Sequence, residues 1–137
     1  MEFIDPDKER FKLLKNLPLD HQVDMLNLVC LNRIAQYADG TEVSGKEAYR
    51  AYGEASGPIF KGVGGIIIWS GVPQFMVIGP ANEHWDIAFI ARYPTGQAFL
   101  DMVYDPAYQA VVHHRQAAVK TSRLVRMRPQ SIPGVFG

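Results

Sequence analysis

The 137 residues amount to 15.3 kDa, enough for one domain with its own hydrophobic core and too few for two of ordinary size. Apolar residues at 47% and charged residues at 20% exclude a disordered chain. Fourteen basic side chains against fourteen acidic ones leave no global field to attract nucleic acid or an anionic membrane. A single cysteine excludes an intrachain disulfide and any multi-cysteine metal knot.

The chain opens MEFIDPDKER, charged from its second residue and without the apolar run of a secretory signal, so a cytoplasmic location is expected. Asp5-Pro6 offers an N-cap followed by proline at N1, and Phe11, Leu14 and Leu17 form a partial apolar stripe that Pro18 stops. A leader helix over 5–17 is predicted. Residues 23–31, VDMLNLVCL, are almost continuously apolar, the pattern of a central strand covered on both faces. Ser44-Gly45-Lys46-Glu47 reads as a capping box, and the helix it opens carries Ala48, Tyr52, Ala55 and Ile59 on one side. Gly62-Val63-Gly64-Gly65 then ends that helix; a phosphate loop would follow a strand and open a helix, the reverse order.

The charge-free stretch 62–82 is too rich in glycine, proline and β-branched residues for a membrane helix, and two strands, 66–71 and 74–79, account for it better. A further strand is predicted over 85–93. Thr95 caps the next helix, which Asp105-Pro106 interrupts and restarts with a kink; beyond it Tyr108, Val111, Val112, Arg115 and Val119 share a face. A short last strand is expected over 124–127, followed by a proline-broken apolar tail, PQSIPGVFG, that docks in extended form.

A leader helix followed by β-α-β-β-α-β, with an extra hairpin piece in the middle, predicts an α+β fold. It is ferredoxin-like: an antiparallel sheet with helices on one face. The whole chain, 1–137, is one domain, with a core over 20–128 and a tail over 129–137. Because the strands at 23–31 and 66–71 are apolar on both faces, a second copy of the same sheet is the expected cover for the face without helices.

Four stretches, MLNLVCL (25–31), YRAYGEASGPIFKGVGG (49–65), WDIAFIARYPTGQAFLDMV (85–103) and DPAYQAVVHHRQAA (105–118), carry a family resemblance. The strand-Tyr93-Pro94-helix junction and the segment from Asp105-Pro106 to Arg115 are its more specific parts. On these residues the chain resembles the bacterial domain-of-unknown-function family 1330, within the dimeric α+β-barrel superfamily. The resemblance implies a homodimer whose two sheets face each other in a barrel with helices outside. It implies no reaction, and fold alone does not choose among the monooxygenases, haem enzymes and small-molecule binders of the wider superfamily.

Candidate chemistry is sparse. His113 and His114 are adjacent on a helix and point about 100° apart, so they do not share a metal; His21 and His84 lie in predicted loops without a ligand-spaced partner. Neither a metal nor a cofactor is expected, and Cys30 is expected to be a buried inert thiol. Ser44 lacks the surroundings of a nucleophile. The basic group Lys120, Arg123, Arg126 and Arg128 lacks the aromatic interleaving of a nucleic-acid surface. More informative are polar residues where the pattern requires apolar ones. Asn27, Tyr52, Trp69, Arg92, Tyr108 and Arg115 are therefore the ligand-binding candidates, converging on an apolar-walled cavity between sheet and helices. Such a site would make the protein a binder or a cofactor-independent enzyme; a small anionic organic molecule is the expected ligand, held by arginine, with Asp86, Asp101 or Asp105 as the partners of Arg115 if its role is structural. The alternative is a non-catalytic dimeric module in which these residues only fix the register.

Overall fold

A computed structural model describes residues 2–137. The elements follow in the order α1 (Lys8–Lys15), β1 (Val23–Leu31), α2 (Gly45–Gly62), β2 (Ile66–Gly71), β3 (Ile87–Tyr93), α3 (Gly96–Tyr104), α4 (Pro106–Gln109), α5 (Val112–Ala118) and β4 (Val119–Met127). The sheet order is β2-β3-β1-β4 and every pairing is antiparallel, which makes the fold α+β and ferredoxin-like. No described helix is long and apolar enough to cross a membrane.

Local chemistry explains most of the element ends. Ser44 Oγ accepts the Glu47 amide at 3.0 Å and Thr95 Oγ1 accepts the Ala98 amide at 3.0 Å, each satisfying a first-turn donor. At the far end of α2, Gly64 takes φ +88°. Its amide donates to the Lys61 carbonyl while the Gly65 amide donates to Phe60, the paired bonds of a Schellman stop. Asp105 caps α4 by accepting from the Ala107 amide, so the restart at Pro106 falls where expected. The leader helix is shorter than predicted because Asp7, not Asp5, is the cap; its carboxylate accepts the Arg10 amide at 2.7 Å.

Alternation along β1 divides the sheet into two faces. Val23 and Met25 join Ala91 and Tyr93 of β3 beneath the helices, where Phe99, Met102 and Tyr108 complete the main core. Tyr93 meets Phe60 and Phe99 edge-on at 5.4 and 5.2 Å, tying α2, β3 and α3 together. A second, alanine-rich cluster of Ala35, Ala48, Ala117 and Ala118 seats α2 against α5. The opposite face carries no helix and presents Leu26, Leu28, Ile90, Trp69 and Val125, the last two about half exposed.

Three expectations are corrected. Residues 74–79 form no strand, and Phe75, Val77 and Ile78 are exposed; β2 is an edge strand, Pro73 and Pro80 flank the segment, and among the described residues no strand lies beyond that edge to pair with it. The last strand starts at Val119 rather than 124, because α5 ends at Ala118 and the chain re-enters the sheet beside Leu31. The tail is not docked: Ile132, Val135 and Phe136 are all exposed.

On the open face Asp24 and Arg92 pair through two hydrogen bonds, 2.8 and 3.1 Å, with the Asp24 side chain only 9% exposed and Arg92 33%. Arg92→Met strands that carboxylate. We expect a loss of stability, smaller than for a fully buried pair because Arg92 is partly solvated, and partial recovery on adding Asp24→Leu. Urea unfolding of the single and double variants measures both.

His114 Nδ1 lies 2.6 Å from the Tyr37 hydroxyl, and burial, then the neighbouring His113, lowers the His114 pKa from its ordinary 6.5. The folded state therefore resists protonation more than the unfolded chain does. This contribution to stability is complete above pH 6.5 and is lost as the pH falls below it. Comparing urea midpoints at about pH 7.5 and about pH 5.5 should reveal a drop that is smaller in His114→Gln.

Candidate functional site

The sheet floor under the helices is lined with short side chains. Asn27 stands opposite Phe89 on one side and Leu124 on the other, with Ala91, Ser70 and Ser122 nearby on the same face. Helices α2, α4 and α5 supply longer residues from above. The difference leaves a recess of about 2090 Å³, with an apolar wall from Met25, Phe60, Phe89, Phe99, Met102 and Val112.

Its polar groups are few and fixed. The Tyr52 hydroxyl of α2 and the Tyr108 hydroxyl of α4 share a hydrogen bond of 2.8 Å, with the rings edge to face at 6.2 Å. Burial, reinforced by neighbouring tyrosines, raises the pKa of Tyr49, Tyr93 and Tyr108, so these phenols stay neutral donors and acceptors. Asn27 donates from Nδ2 to the Met25 carbonyl at 3.1 Å, which anchors the amide within its own strand. Ser56 Oγ is turned back on α2, donating to the Tyr52 carbonyl at 2.6 Å.

Arg115 is placed at the cavity edge, but its guanidinium is committed. It donates to the Ile4 carbonyl at 2.6 Å and to Ser122 Oγ at 3.2 Å, and its nearest carboxylate is Asp5 at 3.7 Å. None of Asp86, Asp101 and Asp105 serves; the partner comes from the leader, 110 positions earlier in the chain. The Phe3 carbonyl also accepts from the Ser122 amide at 2.7 Å, so residues 3–5 run along the edge of β4 with Arg115 as their tie. From there the leader passes over the recess, where Phe11 and Leu14 pack on the core.

The structure thus brings Asn27, Tyr52, Tyr108 and Arg115 together around one cavity and leaves two candidates outside it. Arg92 points to the open face and binds Asp24. Trp69, expected to look inward, does the reverse. The register between β2 and β3 shifts between Ile67 and Trp69, so Ile67 faces Ala91 but Trp69 faces Ile90. One extra residue turns the indole to the other side of the sheet, where it lies over Gly71. Tyr49, Ser56 and the leader also line the cavity and were not among the candidates. Tyr49 and Ser56 share helical spacing with the candidate Tyr52, the signal by which they could have been found.

The histidines divide. His113 and His114 lie side by side, ring centroids 4.1 Å apart, and His114 is bonded to Tyr37. His84, which has no ligand-spaced partner in the sequence, stands beside Cys30 and Asp86.

Comparison with known proteins is consistent with this geometry. The chain is 48% identical to the RPA0582 protein in a crystal structure of its methylated form, covering 98% of each chain at a TM-score of 0.94. Another structure of RPA0582, from Rhodopseudomonas palustris and described as a protein of unknown function, is 47% identical, covers 96% of this chain and 100% of that one, and has a TM-score of 0.92. SnoaB, a cofactor-independent oxygenase from Streptomyces nogalater, is similar in fold alone, at 12% identity and a TM-score of 0.53 over 84% of this chain and 99% of its own. No curated protein matches. The model of the domain of unknown function DUF1330 matches residues 37–127, two-thirds of the chain, and the protein belongs to that family.

Proposed function

We propose that this protein binds a small, largely apolar organic molecule, aromatic or aliphatic, in the recess between sheet and helices, and that it does so as a homodimer. The observation that carries the binding reading is the cavity itself: about 2090 Å³ walled by aromatic and aliphatic side chains, with the Tyr52–Tyr108 hydroxyl pair and the Asn27 amide as its fixed polar points. A neutral ligand group suits these points better than the anion first expected. A carboxylate reaching Arg115 has to compete with Ile4, Ser122 and Asp5. The hydroxyl pair, with the Tyr108 phenol held neutral by burial, orients a hydroxyl or carbonyl by hydrogen bonding.

The dimer reading rests on the open face. Leu26, Leu28, Ile90, Trp69 and Val125 share this helix-free face, with Trp69 and Val125 about half exposed, and a second copy of the same sheet covers it with matching chemistry. A non-catalytic dimeric module is the second reading. It is favoured by the pairing of both Arg92 and Arg115 and by the full satisfaction of buried side-chain polar atoms among the described residues.

Thermal shift with a panel of phenols, aromatic ketones and short aliphatic carboxylates separates the two readings. For a true ligand at a hundred times its dissociation constant we expect a stabilisation of about 2.7 kcal/mol. Tyr52→Phe should weaken it while costing about 1 kcal/mol of stability, since the substitution leaves Tyr108 without its partner. Silence across the panel, with a hydrogen-exchange profile unaltered by every compound, favours the module.

Light scattering on a sizing column tests the assembly. We expect a dimer at micromolar concentration, and a monomer or an aggregate for Ile90→Lys, which puts a charge at the centre of the apolar face. A wild-type monomer with native circular dichroism overturns the dimer reading.

A further inference from the structure

At the rim of the cavity, one cluster of chemically capable side chains remains without a role in it. Cys30 lies near the end of β1, buried at 4% exposure, where the register with β4 shifts. His84 and Asp86 sit just before β3. The Cys30 Sγ to His84 Nε2 distance is 3.8 Å, His84 Nε2 to Asp86 Oδ1 is 3.7 Å, and the ligand atoms of all three lie within 4.8 Å of one another.

Asp86 is held there by the backbone. Its amide donates to the Val29 carbonyl at 2.8 Å, and its Oδ2 accepts the Leu31 amide at 2.7 Å. One carboxylate oxygen is thereby occupied in orienting the group, and the other, Oδ1, is turned towards His84. This is the arrangement by which a hydrogen bond from outside a metal site fixes a carboxylate ligand. Zinc–sulfur and zinc–nitrogen or –oxygen bonds of about 2.3 and about 2.0–2.2 Å at tetrahedral angles separate neighbouring donors by roughly 3.3–3.6 Å. The two spacings to His84 need to contract by only a few tenths of an ångström, and the ligand with most room to move is His84, whose side chain is 70% exposed.

We propose that Cys30, His84 and Asp86 form a three-ligand site for a divalent cation of the zinc type, with the fourth coordination position open to water. One sulfur, one nitrogen and one oxygen donor match zinc and its borderline neighbours, not magnesium or calcium, which take oxygen alone. On binding, the cation replaces the thiol proton: the S–H bond breaks, a metal–sulfur bond forms, and one proton passes to solvent. Asp86 also reaches the edge of the proposed ligand cavity, whereas Cys30 and His84 do not line it, and neither reading depends on the other.

Cobalt(II) titration of the full chain tests the site. Cys30 is the only cysteine, so a thiolate-to-cobalt charge-transfer band reports this position and no other. We expect such a band to saturate at one cobalt per chain, to be bleached by zinc and to be unaffected by excess magnesium. His84→Ala changes an exposed side chain and leaves the fold intact; we expect cobalt affinity in it to fall by about tenfold or more. Asp86→Asn, which keeps an acceptor for the Leu31 amide, should weaken binding likewise, and Cys30→Ser should abolish the band. The proposal is overturned if no band forms at stoichiometric cobalt while circular dichroism stays native. A band of undiminished affinity in His84→Ala, which reduces the feature to an isolated thiol, overturns it equally.

Discussion

The strict alternation of side chains along β1 is the constraint on which the rest of the molecule depends. This strand is hydrogen-bonded on both edges, to β3 and to β4, so its register fixes theirs. Val23 and Val29 face the helices and are fully enclosed, whereas Asp24, Leu26 and Leu28 face the other way. A slip of one residue would exchange the two sets, burying Asp24 among aromatics and exposing the valines. The Asp24–Arg92 pair on the open face opposes such a slip, because it forms only when Asp24 stands opposite Arg92.

The cavity follows from the same alternation. The residues that β1, β3 and β4 turn towards the helices include Asn27, Ala91 and Ser122, too short to fill the gap to α2 and α5. The leader closes part of what remains. Its attachment is polar at one end, where Arg115 and Ser122 grip residues 3–5, and apolar at the other, where Phe11 and Leu14 meet the core. An arginine on an otherwise apolar helical face is thus explained by a chain segment that has to be tied down more than by an anion that has to be held.

Features governed by interactions within a few residues were legible in the sequence. The caps at Ser44, Thr95 and Asp105 and the glycine stop after α2 are four-residue problems, and their solutions are visible in four residues. The order of the elements predicted the ferredoxin-like arrangement, and the resemblance to the DUF1330 family implied the pairing of two such sheets. The segment 74–79 misled because β propensity reports what a side chain tolerates and not whether a partner strand exists. Four of the six candidate site residues line one cavity because polar interruptions of apolar patterns mark positions facing internal space. Trp69 escaped that logic, since a single-residue bulge reverses the face of everything beyond it.

By itself the sequence determined the element order, the two-sided apolarity of the central strand and the neutral charge balance, because each is set by composition and short-range spacing. Tertiary structure alone decided which carboxylate meets Arg115, which side of the sheet Trp69 occupies, and that Cys30 lies beside His84 from 54 positions away in the chain. These are contacts between distant segments, brought together by strand register and a bulge. Their geometry is fixed by backbone hydrogen bonds between strands, which leave no periodic trace in the order of the residues.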